Sequence, residues 1–148
     1  MKCLLADDNR VNQILGSKIL EKYGFLVAVV SNGQDAIHQI QAIRYDLVFM
    51  DCQMPVLDGY EATKAIRRLP RDHFNYNVPI LALTGHGSDR NYSECILSGM
   101  NARLSKPIDE VELKEIINKL TPQLELRKRR YDEARKKAKL PAKAKFKL

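Results

Sequence analysis

Short apolar runs, most of them continuous, alternate with helix-like patterns over the first 120 residues, and this alternation limits the possible folds more than any other feature. The runs are Cys3–Ala6, Phe25–Val30, Asp46–Met50, Pro79–Leu83 and a weaker Ala102–Leu104. Runs that lack polar alternation are typical of strands covered on both faces of a parallel sheet. The sequence therefore predicts a central sheet with helices packed on both of its faces.

Segments with apolar residues three and four positions apart separate these runs. The predicted helical stripes are Val11, Ile14, Leu15, Ile19 and Leu20; Ala36, Ile37, Ile40 and Ile43; Ala62, Ala65, Ile66 and Leu69; Ile96, Leu97 and Met100; and Val111, Leu113, Ile116, Ile117 and Leu120. Asp109 followed by Glu112 predicts a capping box at the start of the last helix. Five strands that alternate with five helices predict βαβ units and an open, doubly wound α/β sheet.

Charge divides the chain into two parts. The 148 residues contain 25 Lys and Arg against 18 Asp and Glu, but residues 121–148 alone hold 11 of the basic groups against three acids. The first 120 residues are therefore close to neutral. We predict one domain over 1–120 and a basic extension or linker, helical or frayed, over 121–148. A helix to about residue 139 fits the spacing, although Pro122 is unfavourable inside a helix that runs straight through.

Composition excludes several classes of protein. No apolar run approaches the ~20 residues that a membrane-spanning helix needs. Asp7 and Asp8 lie where the apolar stretch of a signal peptide would have to continue. The three cysteines are widely spaced and odd in number, which indicates neither a disulfide framework nor a zinc site. We therefore expect a cytoplasmic protein.

Polar side chains follow four of the five predicted strands. Asp7 and Asp8 follow the first strand, Asp51 the third, Thr84 the fourth and Lys106 the fifth. Ligands of such sheets bind outside the carboxyl ends of the strands, so we expect these groups to converge. Three carboxylates brought together raise one another's pKa unless a cation joins them, and oxygen ligands of this kind suit Mg²⁺.

This set of groups predicts a site for a phosphoryl group beside a divalent metal ion. Asp51 is the candidate nucleophile, because carboxylates form acyl-phosphate intermediates. The metal and the ammonium of Lys106 would offset charge on the transferring group, and the hydroxyl of Thr84 would bind a phosphoryl oxygen.

Four motifs resemble those of the receiver domain of two-component response regulators, in order and over residues 2 to about 120. They are Asp7-Asp8, Met50-Asp51-Cys52-Gln53-Met54-Pro55, Ala82-Leu83-Thr84-Gly85 and Leu104-Ser105-Lys106-Pro107. The resemblance implies a flavodoxin-like strand order of 2-1-3-4-5. It also implies that Asp8, Asp51 and the backbone carbonyl of Gln53 bind Mg²⁺, with Asp7 acting through water and Mn²⁺ as a substitute ion. Asp51 would take the phosphoryl group from a phosphohistidine, and the Lys106-Pro107 bond would be cis.

Asp7-Asp8-Asn9 with Asn12 resembles, more narrowly, the receivers of hybrid sensor histidine kinases. The resemblance implies a histidine kinase or a His-phosphotransfer protein as donor and a downstream output protein or domain as target. The chain would be such a receiver or a stand-alone regulator. Nucleic-acid binding is not expected from 1–120, and at most weak, nonspecific contact is expected from the basic tail.

Two alternatives belong to other functional classes. A Mg²⁺-dependent phosphohydrolase or phosphotransferase would also use an aspartyl nucleophile, but such enzymes carry a second Asp two residues later. Gln53 occupies that position and cannot exchange protons at neutral pH, which favours a phosphoacceptor that is not an enzyme. A docking domain independent of phosphorylation is suggested by Arg103, where the family usually carries Tyr, Phe or His. The intact site residues weigh against it.

Overall fold

The structure is a computed structural model that describes residues 1–85 and 89–138. Five strands alternate with five helices along the described chain. The strands are β1 (Lys2–Ala6), β2 (Leu26–Val30), β3 (Leu47–Asp51), β4 (Ile80–Thr84) and β5 (Ala102–Ser105). The helices are α1 (Arg10–Lys22), α2 (Gly33–Ala42), α3 (Gly59–Arg67), α4 (Asp89–Ser98) and α5 (Glu110–Ala138).

The five strands form one parallel sheet in the order β2-β1-β3-β4-β5, which confirms the predicted fold. In the register of the central strands, Leu5 of β1 pairs with Phe49 of β3, and Phe49 pairs with Leu81 of β4. The order in which strands are added to the sheet reverses between β1 and β3. The carboxyl ends of these two strands therefore border the crevice where such sheets bind ligands.

The two faces of the sheet carry separate apolar cores, which explains why the strands are continuously apolar. Leu4, Val48 and Met50 pack with buried residues of α2 and α3. Leu5 and Phe49 point to the opposite face and pack with residues of α1 and α5. Successive strand residues alternate between faces, and both faces are covered.

The predicted stripe of α1 is wrong in part. Three of its apolar side chains are exposed to solvent: Val11, Ile14 and Leu15. Leu20 of the predicted stripe is buried and Ile19 packs against the core, and two residues outside the stripe are buried as well: Gln13 and Gly16. A Cβ at Gly16 would lie 3.1 Å from Leu5 Cδ2, so glycine allows the helix to approach β1 closely. The predicted α4 stripe is also wrong in part: Met100 is buried as expected, but Ile96 and Leu97 are exposed and Cys95 is buried in their place.

Helix α5 continues through Pro122 to Ala138 as one element. The carboxylate of Asp109 accepts the N–H of Glu112 at 3.0 Å, as expected for the cap. Beyond residue 120 the helix still packs on the domain through Leu124 and Arg127, which are 2% and 8% exposed. The boundary at 120 stays a prediction, and residues 139–148 of the basic tail lie outside the described part. Within residues 1–85 and 89–138, no helix is both long and apolar enough to cross a membrane.

Candidate functional site

The carboxylates predicted to converge do lie together at the carboxyl edge of the sheet. Asp7, Asp8 and Asp51 each present an oxygen within 4.8 Å of the others. Asp7 and Asp51 are buried, whereas Asp8 is exposed and faces solvent. Adjacent parallel strands explain this placement, because β1 and β3 end side by side.

Asp51 is almost fully enclosed, with 2% of the residue exposed. Its Oδ2 accepts a hydrogen bond from Lys106 Nζ at 2.9 Å, and its Oδ1 accepts the N–H of Gln53 at 3.1 Å. Burial raises the pKa of Asp51, and the charge of Asp7 adds to this; the bonds from Lys106 and Gln53 oppose the rise without cancelling it. The carboxylate is therefore buried but held in a fixed position by two donors.

Lys106 reaches Asp51 from the end of β5. Its side chain is 23% exposed, so the ammonium touches both the acidic cluster and solvent. The backbone N–H of Lys106 donates to the carbonyl of Thr84 at 2.8 Å, and the Lys106-Pro107 bond is cis. The hydrogen bond to Thr84 holds the backbone of Lys106 next to the end of β4.

Thr84 closes β4 and is buried. Its hydroxyl donates to the carbonyl of Leu104 on β5, at 3.4 Å. One residue earlier on β5, the guanidinium of Arg103 lies 5.1 Å from the ring centroid of Tyr92 on α4. Arg103 thus makes a cation–π contact across to α4.

Glycine brings α3 against the end of β3. A Cβ at Gly59 would lie 2.1 Å from the carbonyl oxygen of Asp51, so no larger residue fits at this position. Asp58 caps the helix by accepting the N–H of Glu61 at 2.8 Å, and Gly59 donates its N–H to Cys52. The Asp58-Gly59 pair therefore sets the end of β3 in place.

Gln13 is a site residue that the sequence reasoning missed. It is buried on α1, and its Nε2 donates to the carbonyl of Asp7 at 2.6 Å and to Ser31 Oγ at 3.0 Å. The backbone of Asp7 is further held by its own N–H bond to Val30. In the sequence, the signal for Gln13 was its polar side chain on the helix that follows two strand-end acids.

These groups surround an open cleft of about 580 Å³. Its walls include Asp8, Asn12, Asp51, Gln53 and Lys106. The donor set fits a hard dication, because it consists of carboxylate oxygens with space for the waters that Mg²⁺ retains. The arrangement joins a buried carboxylate, a cluster of carboxylate oxygens that could hold a cation, and an ammonium beside an open cleft.

Comparison with known families supports the same interpretation. The sequence model of the response regulator receiver domain matches residues 3–118. The Sensor histidine kinase GacS of Pseudomonas protegens is 39% identical over 120 residues, which cover 81% of this chain and 13% of that protein. The Osmosensing histidine protein kinase SLN1 of Saccharomyces cerevisiae is 39% identical over 123 residues, covering 79% and 10%. The chain thus spans a small part of the curated relatives it matches.

Solved structures share the fold. The receiver domain of sensor histidine kinase PA1611 from Pseudomonas aeruginosa PAO1 is 38% identical with a TM-score of 0.71, over 80% of this chain and 94% of that one. That crystal structure has a magnesium ion coordinated in the active site cleft. The receiver domain of Ssk1 from Saccharomyces cerevisiae, co-crystallised with the histidine phosphotransfer protein Ypd1, belongs to a structure that matches at 32% identity and a TM-score of 0.69, over 79% and 86%.

Proposed function

The chain belongs to the response regulator receiver domain family of two-component signalling, homologous to the receivers of hybrid histidine kinases, and we propose that Asp51 accepts a phosphoryl group from a phosphohistidine. The observation that carries this proposal is the buried Asp51 carboxylate, bonded to Lys106 at 2.9 Å and grouped with Asp7 and Asp8. Among the described residues, Asp51 is the strand-end carboxylate that is both buried and paired with a lysine.

The transfer forms one bond and breaks another. A carboxylate oxygen of Asp51 bonds to phosphorus while the P–N bond of the phosphohistidine breaks, and its electron pair returns to the imidazole nitrogen. Lys106 already pairs with Asp51, so its ammonium is placed to pair with a phosphoryl oxygen on the product. Thr84 would turn its hydroxyl from the carbonyl of Leu104 to another phosphoryl oxygen.

We propose that Asp8, Asp51 and the backbone carbonyl of Gln53 hold Mg²⁺, with Asp7 acting through water and Mn²⁺ as a substitute. When bound, the ion offsets negative charge on the transferring group. The oxygen-only cluster and the magnesium in the cleft of the PA1611 receiver support this assignment. Buried Gln13 would position Asp7 through its backbone carbonyl.

A phosphoacceptor fits the site better than a phosphohydrolase. Gln53 stands two residues after the nucleophile, is exposed, and has an amide that neither gives nor takes protons at neutral pH. Hydrolysis of the acyl phosphate should therefore be slow, as a signal requires. Partner binding would change through contacts such as that between Arg103 and Tyr92, in place of the usual aromatic switch.

We propose that residues 1–120 form the receiver and residues 121–148 an extension. We propose a cytoplasmic location, because the three cysteines are odd in number and widely spaced in the sequence. The partners would be a histidine kinase or His-phosphotransfer protein as donor and an output protein or domain as target.

The nucleophile is tested by labelling with acetyl phosphate. The full chain should gain one phosphoryl group in the presence of Mg²⁺, in a form that hydroxylamine removes, and Asp51→Asn should gain none. Asp58→Asn is the matched control, because it makes the same change at a half-buried helix cap, where Asn caps as well as Asp. Labelling of Asp51→Asn at the parental level would contradict the assignment.

The exposed apolar side chains of α1 are the surface on which we place the donor. Val11, Ile14 and Leu15 are more than 40% exposed and follow Asp8, which borders the cleft. Ile14→Glu should slow transfer from a phosphorylated His-phosphotransfer protein about tenfold or more, since a charge enters an apolar contact. Labelling by acetyl phosphate should not change. Leu26→Glu, at the opposite end of the sheet, should leave both rates unchanged; equal slowing in both variants would contradict this placement.

A further inference from the structure

A second cavity, about 470 Å³ in volume, lies at the opposite edge of the sheet from the phosphoacceptor cleft. Its walls are the C-terminal half of α5, the segment before β3 and the segment between α3 and β4. We call it the basic cavity, and its main lining residues are Arg44, Phe74, Arg127, Arg130, Tyr131 and Arg135. The cavity exists only because α5 continues past residue 120.

Arg127 makes one wall of the basic cavity rigid. Its guanidinium donates to the carbonyls of Tyr45, Asp46 and Phe74 at 3.3, 3.2 and 3.3 Å, and to Asn77 Oδ1 at 3.1 Å. These bonds tie α5 to the segments that flank β3 and β4. The wall is therefore formed before any ligand arrives, which lowers the entropic cost of binding.

Arg44 and Tyr131 form the opposite wall. The guanidinium of Arg44 lies 4.5 Å from the ring centroid of Tyr131, and Arg135 lies 5.7 Å from the same ring. Arg44 Nη1 pairs with Asp46, whereas Nε and Nη2 are buried without an acceptor among the described residues. A tyrosine ring stacked with guanidinium groups is a flat, cationic surface.

Positive charge exceeds negative charge around the cavity. Four arginines line it, and among the described lining residues Asp72 is the only acid. Burial lowers the pKa of Arg127 to about 10, and the nearby charges of Arg44 and Arg67 contribute to the fall. Arg130 and Arg135 are exposed and extend from α5 at the cavity mouth. An anion placed here would relieve this repulsion in a partly desolvated setting.

We propose that the basic cavity binds a small organic anion with a phosphate or carboxylate group on a flat apolar body. Guanidinium forks at Arg130 and Arg135 suit both anionic groups, because they donate two parallel hydrogen bonds. Tyr131 and Phe74 line the cavity with apolar ring surface that a flat body can contact. Both features are needed, which separates this site from a surface that attracts any anion.

The proposal is independent of phosphoryl transfer at Asp51. Arg44 precedes β3 and Asp51 ends it, so the two sites lie at opposite ends of one strand. A ligand would bind both α5 and the body of the domain, and would therefore hold the extension in its docked position. The chemistry of the ligand would be that of a nucleotide or of an aromatic acid.

The test uses the full 148-residue chain without Mg²⁺, titrated with 1-naphthyl phosphate, 1-naphthoate, 1-naphthol and inorganic phosphate while amide chemical shifts are followed. The two naphthyl anions should bind at least about tenfold more tightly than naphthol or phosphate alone, with shifts around Tyr131 and Phe74. A preference between them identifies phosphate or carboxylate as the natural group. Shifts confined to the acidic cleft, or equal affinity for inorganic phosphate, would overturn the proposal.

Neighbouring arginines on α5 provide the matched variants. Arg130→Gln removes a charge from the cavity, and Arg129→Gln removes the same charge one position away, outside the lining. Both residues are exposed, so both variants should fold, which unfolding midpoints verify. Naphthyl phosphate should bind about tenfold more weakly to Arg130→Gln and within twofold of the parent to Arg129→Gln. Equal losses would show a general effect of net charge and would contradict a built site.

Discussion

At the two ends of β3, the surroundings shift the pKa of a buried carboxyl group in opposite directions. At the carboxyl end, Asp51 is buried next to Asp7, and its pKa is raised mainly by burial. At the amino end, Asp46 is equally buried, but the N–H of Lys2 and the guanidinium of Arg44 overcome the effect of burial and lower its pKa. At the carboxyl end, the charge of Asp51 is incompletely offset, which is the feature on which the proposed cation and phosphoryl site depends. At the amino end, the charged groups pair with their neighbours and join segments of the chain.

Burial alone therefore does not fix the pKa of a carboxyl group, because the groups that donate to it decide the direction of the shift. Asp46 has two strong donors and serves the fold. Asp51 has Lys106 and one backbone N–H, but Lys106 is partly exposed and shared with the cleft. Three predictions follow the comparison from the amino end to the carboxyl end, in order of decreasing effect.

The largest effect is expected at Arg127, where the amino end is tied to α5. Arg127→Met keeps the length of the side chain but removes four hydrogen bonds and leaves the buried carbonyls of Tyr45 and Asp46 without a donor. The free energy of unfolding should fall by about 2–4 kcal/mol, measured by urea denaturation. Arg129→Met, on the exposed face of the same helix, should change it by less than about 0.5 kcal/mol.

Equal effects of the two substitutions would mean that the extension does not dock. The two edges of the sheet would then differ in that one carries the candidate site and the other faces solvent. Labelling of Asp51 by acetyl phosphate should survive Arg127→Met at temperatures where the variant is folded, since no contact of Arg127 reaches the cleft.

The second prediction concerns pH and compares Asp46→Asn with Asp51→Asn in metal-free protein. The folded-state pKa of Asp51 is raised, so the folded protein binds this proton more tightly than the unfolded chain does. Its contribution to stability therefore declines as pH rises from about 4, the unfolded pKa, through the folded pKa. Asp51→Asn removes that penalty and should stabilise the protein at pH 7 more than at pH 4.

Asp46 should behave in the opposite sense. Its folded-state pKa is lowered, so its contribution is present above about pH 4 and is lost as pH falls through the folded pKa. Asp46→Asn should cost about 1–3 kcal/mol at neutral pH and progressively less in acid. Urea denaturation from pH 3 to pH 8 measures both curves. Differences of the same sign at pH 7 would remove the electrostatic contrast between the two ends.

The convergence of side chains at the carboxyl edge could be predicted from the sequence, because it follows directly from strand order. Each of Asp7, Asp51 and Lys106 comes just after an apolar run, and parallel strands end at one edge. The fold could be predicted for the same reason, since continuous apolar runs fit only a sheet covered on both faces. Assignment of Gln13 failed, because a buried polar residue shows its purpose only when its partner, the carbonyl of Asp7, is known.

The amino edge could not be predicted, because its parts are distant in sequence and contradict local rules. Arg44 and Arg127 are separated by more than 80 residues and belong to no motif. Proline disfavours a helix interior, yet α5 passes Pro122, next to a bond from the Thr121 hydroxyl to the carbonyl of Ile117. Arginine side chains favour solvent, yet Arg127 is buried and donates hydrogen bonds to four acceptors. On α1, amphipathic spacing identified an apolar face but not whether the sheet or a partner covers it.

The smallest effect is expected in the loop beside the acidic cleft, where strain, in addition to charge imbalance, distinguishes the carboxyl end. Val56 has φ of 69° and is 81% exposed, so a β-branched residue occupies the left-handed region without apolar burial in return. Strain of this kind costs about 1–2 kcal/mol, whereas glycine adopts the conformation freely and loses about 0.5–1 kcal/mol in backbone entropy.

Val56→Gly should therefore stabilise the protein by about 0.5–1 kcal/mol in urea denaturation. Val29→Gly, the same substitution in edge strand β2, should destabilise it by about 0.5–1 kcal/mol, since glycine weakens a strand of ordinary conformation. If strain in this loop also preorganises the cleft, Val56→Gly should slow labelling of Asp51 while Val29→Gly leaves the rate unchanged. Destabilisation by both substitutions would show that the loop is relaxed, and the carboxyl end would then differ from the amino end in charge alone.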